Sequence, residues 1–270
     1  MAFAEIGGTV LHYELLGDPA ADRTIVFANS LGTDFRIWLP VFDELDDDIA
    51  ILLYDKRGHG LSGLGRQPSS IEDHAQDVID LCGKLGIDKA VICGLSVGGL
   101  IAQGIWKLKP SLVEAIILCD TAVKIGTADM WNARIAAIEA NGIASLSTPV
   151  LERWFTPKFF KERATDLEGY RQMLERQPVA GYNGVCGAIR DADFTASTAT
   201  IKVPALVVVG DQDGATPPEL VLSMARLIPS ARYEVIAGAG HIPCVEQPEA
   251  LTAVIEAFLS PLVSGDIPHG

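Results

Sequence analysis

Ser96 stands in Gly94-Leu95-Ser96-Val97-Gly98, directly after an apolar run ending at Cys93 and before a helical pattern that opens near Gly99. A serine on a sharp strand-to-helix turn projects its oxygen clear of a sheet. Flanking glycines make room for that turn, and the helix start behind it offers partial positive charge. In this setting Ser96 is a candidate nucleophile for acyl transfer, with the Val97 N–H as one donor to a developing oxyanion. The five-residue pattern alone is short enough to describe any glycine-rich turn; the strand before it and the helix after it give it chemical meaning.

A serine hydroxyl needs a base to take its proton, and the chain has five histidines. His12 falls in an early strand pattern, His74 in a helical one, His269 in the terminal stretch and His59 in the turn-like Asp55-Lys56-Arg57-Gly58-His59-Gly60. His241 follows the last strand, in Ala237-Gly238-Ala239-Gly240-His241, at the sheet edge where ligands of such folds bind. The acid that orients the imidazole should leave another strand end. Val209-Gly210-Asp211-Gln212-Asp213-Gly214-Ala215-Thr216-Pro217 offers two. Asp211 comes straight off the strand, where its carboxylate can bond local backbone instead, so Asp213, deeper in the loop, is preferred. A second oxyanion donor is expected from Asn29-Ser30-Leu31-Gly32, with the Leu31 N–H as candidate.

Such residues need a scaffold that brings several strand ends together. Short Val- and Ile-rich runs alternate with helical patterns, the signature of an α/β fold with a mostly parallel sheet covered on both faces. Strands are predicted at Thr9–Glu14, Thr24–Ala28, Ile49–Tyr54, Lys89–Cys93, Ala115–Cys119, Ala205–Val209 and Arg232–Ile236. Ile71, Ala75, Val78, Ile79, Cys82 and Leu85 share one helical face, and Ser69 with Glu72 reads as the capping box that starts that helix. From about Gly126 to Asp193 the strand signal gives way to helical patterns carrying Trp131, Arg134, Arg153, Trp154, Tyr170 and Tyr182. Residues 126–193 are therefore expected to form a helical cap inserted in a core made of 1–125 and 194–270. The tail Ser264–Gly270 reads as a loose terminus.

The formal net charge of −14 argues against nucleic acid or an anionic membrane as partner, since the field of the whole chain would repel both. A small anionic substrate remains compatible, because surface charge is screened beyond roughly 8–10 Å. The uncharged stretch Ala90–Trp106 carries Gly94, Ser96, Gly98 and Gly99 in its middle, which suits strand, turn and helix better than a membrane span. Five widely spaced cysteines, with no Cys-x-x-Cys, suggest reduced buried thiols rather than a disulfide frame or a zinc site. No secretory leader pattern opens the sequence, so a cytoplasmic location is expected.

The serine turn, Asp55–Gly60, Gly210–Pro217 and Gly240-His241 together resemble the α/β-hydrolase family across nearly the whole chain. The resemblance strengthens Asp213 and implies the chain order Ser, Asp, His. Many family members carry His-Gly where this chain has Asn29-Ser30. Asn29–Thr33 with Trp38, Trp131–Ile135 and Arg153-Trp154-Phe155 look like the 3-oxoadipate enol-lactonases of that family. That likeness implies ring opening of a small anionic lactone through Ser96, with no metal or organic cofactor. It also implies Arg134 against the substrate carboxylate, with Trp131 and Trp154 as apolar walls. Serine at the turn disfavours haloalkane dehalogenase and epoxide hydrolase chemistry, which resembles this fold but uses aspartate there. A general carboxylesterase, another C–C or C–O hydrolase, and a ligand receptor that keeps the triad stand as alternatives.

Overall fold

The computed structural model describes residues 1–17, 21, 23–45 and 49–264. Its strands are β1 Ala2–Ile6, β2 Thr9–Leu16, β3 Arg23–Ala28, β4 Ile49–Tyr54, β5 Ala90–Leu95, β6 Val113–Cys119, β7 Ala205–Gly210 and β8 Ala231–Ile236. They form one sheet in the order β1-β2-β4-β3-β5-β6-β7-β8. β1/β2 and β2/β4 pair antiparallel and every later pair is parallel. Every residue of β5 and β7 is buried, which is why these runs are continuously apolar: a parallel strand under helices on both faces has no solvent side.

β1 was not among the expected strands. It is an edge strand in which only Ala4 and Ile6 are buried while Phe3 lies 54% exposed, so its five residues carry almost no apolar pattern. The expected strand at Lys89–Cys93 starts one residue later and runs on to Leu95, so the chain turns at Ser96 itself.

Twelve α-helices are present among the described residues, beside three short 3₁₀ turns: α1 Leu39–Phe42, α2 Ile71–Leu85, α3 Val97–Leu108, α4 Ala128–Asn141, α5 Ser147–Trp154, α6 Pro157–Glu162, α7 Ala164–Glu175, α8 Val179–Asp191, α9 Thr195–Thr198, α10 Pro218–Ala225, α11 Pro243–Glu246 and α12 Pro248–Ser264. The capping box of α2 is Ser70 with Asp73, not Ser69 with Glu72. Ser70 is the extended residue whose hydroxyl accepts from the Asp73 N–H while the Asp73 carboxylate reaches back to the Ser70 N–H, whereas the Ser69 hydroxyl lies 3.3 Å from His74 Nε2 and Glu72 pairs with Lys107 at 2.8 Å.

Between β6 and β7 the chain makes only helices, α4 to α9. The uncharged stretch 90–106 divides into β5 and α3, and among the described residues no helix is long and apolar enough to cross a membrane. All five cysteines are buried and free. Of the tail expected to be loose, residues 265–270 lie outside the described residues and Ser264 ends α12.

Candidate active site

Loops leaving the C-terminal ends of β3, β5, β6, β7 and β8 converge on one cavity, where a parallel sheet offers its ligand crevice. The tightest of them is the serine turn. Ser96 has φ 59° and ψ −118°, a backbone state that costs a non-glycine residue about 1–3 kcal/mol. The turn closes only because its neighbours lack side chains: a Cβ on Gly94 would lie 2.1 Å from Gly98 O, and one on Gly98 would lie 2.0 Å from Ala28 O. Ser96 N–H donates to Cys119 O at 3.0 Å and the Thr121 hydroxyl donates to Ser96 O at 2.7 Å, tying the turn to the end of β6. Val97 opens α3, so its N–H belongs to the first helical turn, which has no intrahelical acceptor.

His241 and Asp213 meet across the ends of β8 and β7, with His241 Nδ1 2.9 Å from Asp213 Oδ2. Both are buried, and the carboxylate is saturated: it also accepts from the Thr216 hydroxyl at 2.6 Å and from the N–H groups of Ala215 and Thr216 at 2.7 and 3.0 Å. Burial opposes the charge on Asp213, but His241 and the Thr216 donors outweigh it and hold the carboxyl below its ordinary range. Asp211 does other work. Its Oδ1 accepts from Gly238 N–H at 2.8 Å and Ala239 N–H at 3.3 Å, shaping the loop that carries His241.

That loop is also held by the helical segment. His241 N–H donates to Trp154 O at 2.8 Å, and Glu246 accepts from Gly240 N–H at 2.6 Å and from the Thr156 hydroxyl at 2.7 Å. The turn after β3 is bound as tightly. Its Gly32 N–H donates to His59 Nε2 at 3.1 Å, and Lys56 Nζ donates to Ser30 O at 2.6 Å and Thr33 O at 3.3 Å. Asp55-Lys56-Arg57-Gly58-His59-Gly60 is thus the cradle of this turn. His59 is fully buried, and desolvation followed by the Lys56 charge keeps it well below the ordinary imidazole range.

Asp120 is a further polar residue of this site, unexpected from sequence. It follows β6, is fully buried at positive φ (46°), and accepts from Gly210 N–H at 2.9 Å through Oδ1. Polar atoms of Asp120, Asp213 and His241 lie within 4.8 Å of one another. Burial first and the Asp213 charge second raise the Asp120 carboxyl well above its usual range, so it sits as a neutral acid beside a carboxylate. These three residues are the one group among the described residues spaced to hold a metal ion. The Asp213 oxygens and His241 Nδ1 are already engaged with each other and with Thr216, leaving Asp120 Oδ2 as the atom without a hydrogen-bond partner. No sequence pattern marks Asp120, since its neighbours are an ordinary strand end.

The cavity at which these loops meet has a volume of about 90 Å³, and Ser96, His241, Leu31 and Thr216 line it together with Trp131, Arg134, Arg153, Trp154 and Tyr182 from the helical segment. Arg134 lies over the Trp131 ring, 5.0 Å from its centroid, and beside the Tyr182 hydroxyl, whose ionisation burial suppresses. Among the described residues neither Arg134 nor Arg153 is paired with a carboxylate. Arg153, which the sequence places in the helical stretch without a role of its own, therefore joins Arg134 as a cation of this cavity. The arrangement is a serine hydroxyl, an imidazole held by a carboxylate, and two guanidinium groups without a carboxylate partner among the described residues, around a small space. It can perform acyl transfer on a small anionic ester.

The chain is similar to known proteins along most of its length. The alpha/beta hydrolase family model matches residues 25–254. 3-Oxoadipate enol-lactonase 1 of Acinetobacter baylyi is 34% identical over 252 residues, 93% of this chain and 94% of the relative. The crystal structure of the enol-lactonase from Burkholderia xenovorans LB400 superposes with a TM-score of 0.93 at 35% identity, covering 96% of this chain and 100% of that one. A thermophilic esterase from Thermogutta terrifontis, solved with malate bound, superposes with a TM-score of 0.91 at 27% identity over 97% of this chain and 99% of that one.

Proposed function

This chain belongs to the alpha/beta hydrolase family, and we propose that it opens the ring of 3-oxoadipate enol-lactone to give 3-oxoadipate through an acyl-enzyme on Ser96. The observation that carries the reading is the cavity itself: Ser96, His241 and the Leu31 loop share it with two unpaired arginines, a pairing of acyl-transfer groups with a carboxylate binder. The likeness to enol-lactonases supports the choice of lactone.

Ser96 Oγ attacks the lactone carbonyl as His241 Nε2 takes its proton, Asp213 holding the imidazole by Nδ1 and stabilising the imidazolium. The N–H groups of Leu31 and Val97 receive the oxyanion. Collapse breaks the ring C–O bond, and the proton passes from His241 to the departing enol oxygen. Because the ester was cyclic, the enol stays tethered to the acyl group. Water deprotonated by His241 then attacks the acyl carbonyl, the bond to Ser96 Oγ breaks as His241 returns the proton to that oxygen, and the enol ketonises to 3-oxoadipate. None of these steps calls for a metal or organic cofactor. Residues 126–193 act as the cap, with Arg134 on the substrate's free carboxylate and Trp131 and Trp154 as apolar walls; Arg153 adds a second positive charge.

The test follows enol-lactone absorbance in the parent, Ser96→Ala and Arg134→Leu. Ser96→Ala should fall to near background, a loss of at least ~10³-fold. Arg134→Leu should raise KM for the lactone by roughly tenfold to a hundredfold while leaving hydrolysis of a neutral aryl acetate nearly unchanged. A parent that hydrolyses aryl acetate but not the lactone would make it a carboxylesterase, the reading that the esterase likeness favours.

A further inference from the structure

Lys56 is 1% exposed, and among the described residues no carboxylate pairs with it. An ammonium taken out of water this completely is costly unless something nearby is served by it. Its partners are two carbonyls of the turn after β3, Ser30 O at 2.6 Å and Thr33 O at 3.3 Å. The Thr33 hydroxyl donates to the same Ser30 carbonyl at 3.0 Å, and Asn29 Nδ2 binds Thr33 O, so the turn is clamped from within by its own side chains and from beneath by Lys56. Ser30 O belongs to the peptide whose N–H is that of Leu31, and in a trans peptide the two point in opposite directions. Whatever fixes the carbonyl on the Lys56 side fixes the N–H on the other side. Leu31 and Ser30 both line the cavity with Ser96.

We propose that Lys56 is a positioning residue for the oxyanion site: it holds the Ser30–Leu31 peptide by its carbonyl and sets a positive charge behind the Leu31 N–H. The inference rests on the reading of Ser96 as nucleophile and Leu31 as donor. A cation on the carbonyl end polarises the peptide and strengthens its N–H as a donor. The charge gains most when an oxyanion forms in front of that N–H, so the stabilisation falls on the transition state rather than on bound substrate. At a separation of roughly 7–8 Å and moderate effective dielectric, it amounts to about a tenfold to a hundredfold effect on rate. The ammonium is adjustable: burial brings it down to about 7, opposed by the carboxylates of Asp55 and Asp34. Those two are themselves engaged, Asp55 with His12 at 2.7 Å and Asp34 with Arg36 at 2.6 Å. His59 and His74, also nearby, are held neutral, by burial first and with the Lys56 charge adding to it.

The experiment uses the full chain as parent, Lys56→Met and Ser96→Ala, with a boronic acid that forms a tetrahedral anion on Ser96. Lys56→Met should lower kcat and boronate affinity by about tenfold to a hundredfold with KM changed less than about threefold. The parent should show a falling limb of kcat above about pH 7 that the variant lacks. In the parent, followed by NMR of the Lys56 ammonium, boronate binding should move its titration upward. Boronate that leaves this titration unmoved, or a folded Lys56→Met with kcat and boronate affinity within about threefold of the parent, overturns the proposal. Because the parent titration needs no variant, a Lys56→Met chain that fails to fold still leaves the decision available. Ser96→Ala with parental activity would sink the acyl-transfer reading instead.

Discussion

Two aspartates a few ångströms apart carry opposite assignments: Asp213 ionised against His241 and Asp120 neutral behind it. Asp213→Asn should therefore cost kcat heavily, on the order of 10⁴-fold, because the imidazole loses its orienting anion. Asp120→Asn replaces a neutral acid by its neutral isostere and should leave kcat within about fivefold. The same substitution has a signature in stability. Asp120 stays protonated when folded but ionises on unfolding above its ordinary value of 3.8, so it weakens the parent progressively as pH rises from there toward its raised folded value. Thermal melts taken upward from about pH 4 should accordingly show Asp120→Asn gaining on the parent as the pH rises. A difference that does not vary with pH would mean that Asp120 is ionised in the fold. The placement of Ser96 and His241 at strand-end turns was legible in sequence because those turns demand glycine neighbours at fixed offsets. Asp120, Lys56 and Glu246 were not, since each owes its role to atoms from distant parts of the chain: Asp213, Ser30 and Thr156 respectively.

Helices and loops transmit this geometry through a few close contacts. α8 approaches the Asp55–Gly60 loop so nearly that a Cβ on Gly181 would lie 2.1 Å from Gly58 O, and one on Gly58 would lie 2.6 Å from Gly181 Cα. Gly60 N–H donates to Gln177 Oε1 at 3.0 Å just before α8, and Tyr182 stacks on His59 with centroids 6.3 Å apart. His59 in turn accepts the Gly32 N–H, so the helical segment is joined to the turn after β3 through one imidazole. Gly181→Ala must open this seam. Its kcat should drop by about tenfold or more with far-ultraviolet circular dichroism unchanged, because a displacement near 1 Å at the reacting centre is enough. Parental kcat would show that the seam has slack. The inner strands β3 to β7 were readable because their apolar runs are forced by burial on both faces. β1 was not, having one buried face and five residues, and the α2 cap was misplaced by one residue because serines occupy both 69 and 70.

The whole molecule is strongly acidic, and on the proposed function its formal charge of −14 would repel an anionic lactone until the last Debye length, where Arg134 and Arg153 would take over. Added salt should therefore raise kcat/KM for the anionic lactone by about twofold to fivefold between low ionic strength and physiological salt, and leave a neutral aryl ester flat. A decrease for the lactone would show that the arginines already govern the approach from outside.

The fold also carries its own reporters. Cys82 in α2, Cys93 at β5, Cys119 at β6, Cys186 in α8 and Cys244 in α11 are all sealed from solvent. Burial raises Cys82 and Cys186 to about 12, leaving their sulfur both inaccessible and poorly nucleophilic while the chain stays closed. A thiol reagent added to the native protein is thus a clock for opening, and the order in which the five sulfurs label would reveal whether α8 peels away before the sheet comes apart.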